Sequence, residues 1–168
     1  MRKIFLFLAV VGITALSSCE GEQGPPGIAG PESEVFELRN VNFDFNDIDG
    51  FNIYRTLTPQ ILLSDNILIY RMSDLIDSNT PVWQLIPRTL FLTEGELDYD
   101  FDFSKEDFKI YAGGTFDLNT TPQFITNQTF RIVIIPGYLS NRKVIDKSNY
   151  NAVIEAYGIN DSNPTIIN

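Results

Sequence analysis

From Val35 onward, short apolar stretches follow one another, each cut off by glycine, proline or an Asp/Asn-rich break. Much of each stretch alternates with period 2, which is the strand signal. Thr129-Phe-Arg-Ile-Val-Ile-Ile135, ended by Pro136-Gly137, is the strongest of them. Strands are also expected over 35–43, 51–57, 66–72, 82–86, 89–93, 97–103 and 107–112. Asn46 to Gly50 reads as a turn between the first two, and Glu94-Gly95-Glu96 closes a hairpin. Pro59, Pro87 and Gly113-Gly114 mark breaks. Thirteen Phe, seven Tyr and many Ile and Val agree with strand over helix. One short helix is expected near the end, capped by Ser148, running through Tyr157 and stopped by Gly158. About eight short strands predict a mainly all-β domain over 35–168, an antiparallel β-sandwich that is immunoglobulin-like in the broad sense. The cysteine pair of antibody domains is missing, so only the architecture is implied. No repeat suggests a propeller.

Two absences narrow the chemistry. There is no histidine, which removes the usual general base and metal ligand and every Ser-His or Cys-His arrangement. There is one cysteine, which rules out an internal disulfide framework and a cysteine-based zinc site. The net charge of −10 argues against nucleic-acid binding, which needs Lys and Arg to replace phosphate counterions. It serves solubility and gives no general attraction to anionic lipid. No cofactor is expected, and no catalytic residue is assigned.

The N-terminus places the protein. Arg2 and Lys3 precede an apolar run from Ile4 to Ala15. Its 12 residues are too few for a membrane-spanning helix, which needs ~20, and suit a secretory signal. Leu16-Ser17-Ser18-Cys19 then resembles the lipobox of bacterial lipoproteins. The resemblance implies cleavage before Cys19, a diacylglycerol on its sulfur and usually a third acyl chain on the new amine. Each buried CH₂ contributes ~0.8 kcal/mol, so two or three chains make a firm anchor. Glu20 stands where aspartate would resemble the inner-membrane retention signal of enteric lipoproteins. Glu20 and Glu22 loosely match the surface-export signal of lipoproteins in Bacteroidetes-type bacteria. An outer-membrane envelope location is the expectation, with outward and periplasmic facing both left open.

Behind the cysteine lie four Gly-X-Y units, beginning at Gly21, Gly24, Gly27 and Gly30. Glycine at every third residue is what a triple helix needs at its axis. Four units are few to trimerise alone. Proline-rich segments stay extended at ~3.1 Å per residue, so residues 21–32 reach roughly 35 Å. A monomer on a spacer is therefore expected, with a trimeric stalk as the alternative. The chain divides into a signal peptide (1–18), a lipidated cysteine and collagen-like tether (19–34), and the β-sandwich (35–168). Lipobox, Gly-X-Y tract and a small β domain with "TFRIVIIPG" and "SNYNAVIEAYGI" resemble the collagen-like surface lipoproteins of Bacteroidetes-type bacteria. That resemblance implies a location and no activity.

Several stretches invite a site. Asp47-Ile-Asp49-Gly50 suggests calcium, but an EF-hand counted back from Gly50 starts on Phe45 and puts the glutamate of position 12 on Arg55 or Thr56. Asp47 and Asp49, with Asp44 and Asn46, remain the metal candidates beside the plain reading as a hairpin turn. Asp98, Asp100 and Asp102 alternate with Tyr99, Phe101 and Phe103, predicting a wet acidic face backed by a buried aromatic one. Ser140-Asn-Arg-Lys143 matches Ser-x-x-Lys of penicillin-interacting enzymes but lacks the Lys-Thr-Gly that should follow. Asn119-Thr-Thr121 and Asn127-Gln-Thr129 match a glycosylation sequon and are read as loops. The expected function is a non-enzymatic, membrane-anchored module that binds an unknown protein or glycan partner or has a structural role. A carboxylate-based hydrolase acting on polysaccharide is the alternative.

Overall fold

The computed structural model describes residues 33–140 and 144–167. The signal segment, Cys19 and the Gly-X-Y stretch lie outside the described residues, as do Asn141 to Lys143 of the Ser-x-x-Lys match.

The described residues form ten strands: β1 (Glu34–Val41), β2 (Asp44–Asn46), β3 (Gly50–Thr56), β4 (Asn66–Leu75), β5 (Pro81–Ile86), β6 (Arg88–Phe91), β7 (Glu96–Phe103), β8 (Asp107–Gly114), β9 (Gln128–Ile135) and β10 (Thr165–Ile166). Two helices follow β9, α1 (Gly137–Ser140) and α2 (Tyr150–Tyr157). The strands make two five-stranded sheets, ordered β10-β1-β9-β4-β5 and β2-β3-β8-β7-β6. All pairings are antiparallel except the short β1–β10 contact. The expected all-β sandwich is therefore what forms.

Period-2 patterning explains why the sheets close on each other. In β9, Phe130, Ile132 and Ile134 face inward, as do Ile67 and Ile69 of β4 and Leu38 of β1. From the second sheet Ile53, Leu97, Tyr99, Phe108 and Ile110 meet them. Fully burying such a side chain contributes about 1.5–3 kcal/mol, so this layer holds the sheets together. The chain crosses between the sheets at Pro87, the single residue between β5 and β6.

The first sheet also buries its outer face. Leu68, Tyr70, Val133 and Ile135 form a second core with Tyr150 and Val153 of α2 and with Ile159 beyond it. That helix begins one residue later than the sequence suggested. Asn149 is its N-cap, accepting from the Ala152 N–H at 3.1 Å. Ser148 instead donates from its N–H and Oγ to Asp146. Gly158 ends the helix at φ +64°, the left-handed conformation that glycine adopts without strain.

Three expectations need correction. β1 stops at Val41, not Phe43, and its register shifts between Leu38 and Val41, where Asn40 takes φ +53°. The strands β2 and β10 were not foreseen; at three and two residues they carry too little pattern to be seen. Phe103 was expected to be buried but is 40% exposed, and Phe101 is only half-buried. The alternation of β7 holds, but its last residues run past the covering sheet, where Phe101 and Phe103 stack on each other at 6.4 Å.

Candidate functional site

The second sheet has nothing over its outer face among the described residues. Register places Tyr54 of β3, Lys109 and Tyr111 of β8, and Asp98, Asp100 and Asp102 of β7 on that face. All three aspartates are exposed, as the alternation of β7 predicted.

Three like charges on one strand face should repel. Neighbouring strands relieve them. Thr89 of β6 donates its hydroxyl to Asp98, directly opposite it. Tyr111 donates its hydroxyl to Asp102 at 2.7 Å, reaching diagonally across the β7–β8 pair. Lys109 lies opposite Asp102 but donates to Asp49 at 2.9 Å. Asp100 accepts from the Phe101 N–H at 2.8 Å.

A second tyrosine–carboxylate pair stands nearby. Tyr54 donates to Asp107 at 3.0 Å, and Ser104 donates to the other oxygen of the same carboxylate. The proton affinities follow from these partners. The hydrogen bond to Asp102 is the main cause that pushes the Tyr111 hydroxyl up to about 12, helped by burial and the carboxylate's charge. Asp107 raises Tyr54 in the same way. Ser104 first, then Tyr54, hold Asp107 below the usual carboxylate range. Asp49 is lowered, chiefly by its hydrogen bond from Lys109. Both tyrosines therefore stay neutral donors at physiological pH, and Asp107 stays a charged acceptor.

The calcium candidates separate. Asp47 sits exposed in the β2–β3 turn, while Asp49 is turned toward β8 and paired with Lys109. Asn46 spends its side-chain oxygen on the Ile48 and Asp49 N–H groups at 3.0 and 2.8 Å. A cation at this turn would have to displace an ammonium group from Asp49. Among the described residues, no group of three or more Cys, Asp or Glu side chains is placed to hold a metal ion. Asp100→Asn is expected to change stability by no more than ~0.5 kcal/mol, as for other surface changes. Urea melts with and without calcium check this; a loss seen only with calcium would make the face a metal site.

Asp98 and Asp100 also border a hollow of about 390 Å³ with Pro87, Arg88, Thr89 and Tyr99. Two residues apart on one strand, they stand side by side on one wall and do not face each other. The sequon at Asn119 falls in a 3-10 turn, Leu118–Thr120, where its side chain donates to Asp117. Asn127 lies in the loop before β9 at φ +52°.

Sequence reading missed two buried charged groups. On the outer face of the first sheet, Arg131 donates to Glu37 at 2.9 Å, to Asp161 at 2.8 Å and to the Tyr150 hydroxyl at 2.6 Å. Its guanidinium lies 4.6 Å from the Trp83 ring centre. Burial pulls its pKa down, but the bonds and charges of Glu37 and Tyr150 outweigh it and hold the pKa above normal. On the inner face, buried Arg71 donates to Gln128 at 2.8 Å and lies 4.7 Å over the Tyr99 ring. The available signal was a lone charge in an apolar strand, as in "ILIYRM" and "TFRIV". These groups fasten the fold and leave the tyrosine–carboxylate face as the open surface. No family model matches this chain, and neither a curated protein nor a solved structure matches it.

Proposed function

We propose that the chain is a lipid-anchored protein of the bacterial outer membrane, carrying a non-enzymatic β-sandwich that binds a protein or glycan partner. The anchor reading rests on Leu16-Ser-Ser-Cys19 behind a short apolar run. The Gly-X-Y units serve as a spacer for a monomeric, outward-facing domain. The observation that carries the binding reading is the contrast between the sheets. One outer face is covered by α2 and its apolar contacts; the other presents Tyr54, Tyr111 and aspartates to solvent. Binding is favoured over hydrolysis of polysaccharide because hydrolysis uses carboxylates on both sides of the scissile bond, whereas Asp98, Asp100 and Asp102 share one strand face.

The anchor has a direct test. Mass spectrometry of membrane-extracted protein is expected to show an acylated N-terminal Cys19, and Cys19→Ala should release the protein into the soluble fraction. An unmodified chain beginning elsewhere, or a Cys19→Ala chain still held in the membrane, would overturn it.

A further inference from the structure

We propose that a second, separate site binds a neutral sugar unit in the hollow between the start of β1 and the segment following α2. This hollow measures about 520 Å³ and is lined by Ser33, Tyr138, Tyr157, Asn160, Asn163 and Thr165, among others. Its size falls in the ~300–1,000 Å³ range of small-molecule sites.

Two asparagine side chains here keep unused hydrogen-bonding groups among the described residues. Asn160 commits its side-chain oxygen to Ser162, at 2.7 Å from Oγ and 3.2 Å from N. Its amide N–H groups are left to donate. No hydrogen bond engages the Asn163 side chain, which can both donate and accept. A polyhydroxylated ring needs this mixture, because each hydroxyl donates and accepts at once. Tyr138 and Tyr157 add ring surface against which the C–H face of a pyranose packs.

Charge selects within that class. Glu34 is the one charged residue among the described lining, and no lysine or arginine of that lining offsets it. Gly158, the C-cap of α2, also borders the hollow, so the negative end of that helix points this way. Both features disfavour a phosphate, sulfate or uronate and leave a neutral saccharide.

The site is independent of the tyrosine–carboxylate face, so either can fail alone. The test titrates ¹⁵N-labelled full chain carrying Cys19→Ala with four neutral tetrasaccharides: maltotetraose, cellotetraose, mannotetraose and chitotetraose. Tetragalacturonate is the anionic control. The expected result is saturable shifts at Asn160, Asn163 and Tyr157 with at least one neutral sugar and none with tetragalacturonate. Asn163→Ala, with unchanged melting, should weaken binding by about tenfold. No saturable shift at millimolar concentration with any of the four overturns the proposal. So do shifts confined to β7 and β8, and so does tetragalacturonate binding as well as the neutral sugars.

Discussion

Phe130→Ala is expected to lower the free energy of unfolding by about 3–5 kcal/mol, the range for truncating a fully buried phenylalanine. Phe130 is fully buried in β9, the middle strand of the first sheet, between Leu38 of β1 and Arg71 of β4. Its ring meets Phe43 edge-on, with ring centres 6.0 Å apart. Close packing from both sheets lets the surroundings collapse little, so a cavity adds to the lost transfer energy. Domains of this size have ~5–15 kcal/mol in all, so the loss is a large share. In urea melts the midpoint should fall while the slope stays unchanged. Phe91→Ala is the control: Phe91 is 79% exposed, and its truncation should be close to neutral.

Arg131→Met is expected to cost about 3 kcal/mol, the lower end of the range for breaking a buried ion pair. The Arg131 and Glu37 side chains are only 13% and 6% exposed. Methionine fills much of the same volume but cannot answer the Glu37 charge. Arg39 still reaches Glu37, which is why the cost sits at the low end. The loss arises from stranding a carboxylate, so removing that carboxylate as well should reverse much of it. The double variant Arg131→Met, Glu37→Leu is expected to be clearly more stable than Arg131→Met alone. If the two changes simply add, the pair is not coupled.

How far the fold could be read from the chain depended on how much pattern each element carries. β9 announces itself by the four-residue apolar run Ile132-Val-Ile-Ile135 with a proline–glycine stop, and β7 by strict alternation. Helix α2 was marked by the glycine that ends it more clearly than by its cap. Ser148 and Asn149 are both good N-caps, and only Asn149 is placed to reach the Ala152 N–H. β10 could not be read, because two residues hold no period. Phe103 was misplaced because alternation says which face a residue joins, not whether the opposite sheet extends far enough to cover it. Of the open face, Asp98, Asp100 and Asp102 were visible from spacing. Tyr54, Tyr111 and Lys109 were not, since they join it only through strand register. Asp49 was seen as a metal candidate because its partner, Lys109, lies 60 residues away and cannot be inferred from a turn.

The claim that the uncovered sheet face is the binding surface of an anchored module is tested most directly by co-sedimentation. The soluble Cys19→Ala chain is mixed with purified envelope fragments, and its retention is compared with that of a variant also carrying Tyr54→Ala and Tyr111→Ala. Both tyrosines project outward, so melting should change little. The account predicts that the parent chain sediments and that the double-tyrosine variant loses affinity about tenfold or more. Equal retention of the two chains, with equal melting, would contradict it.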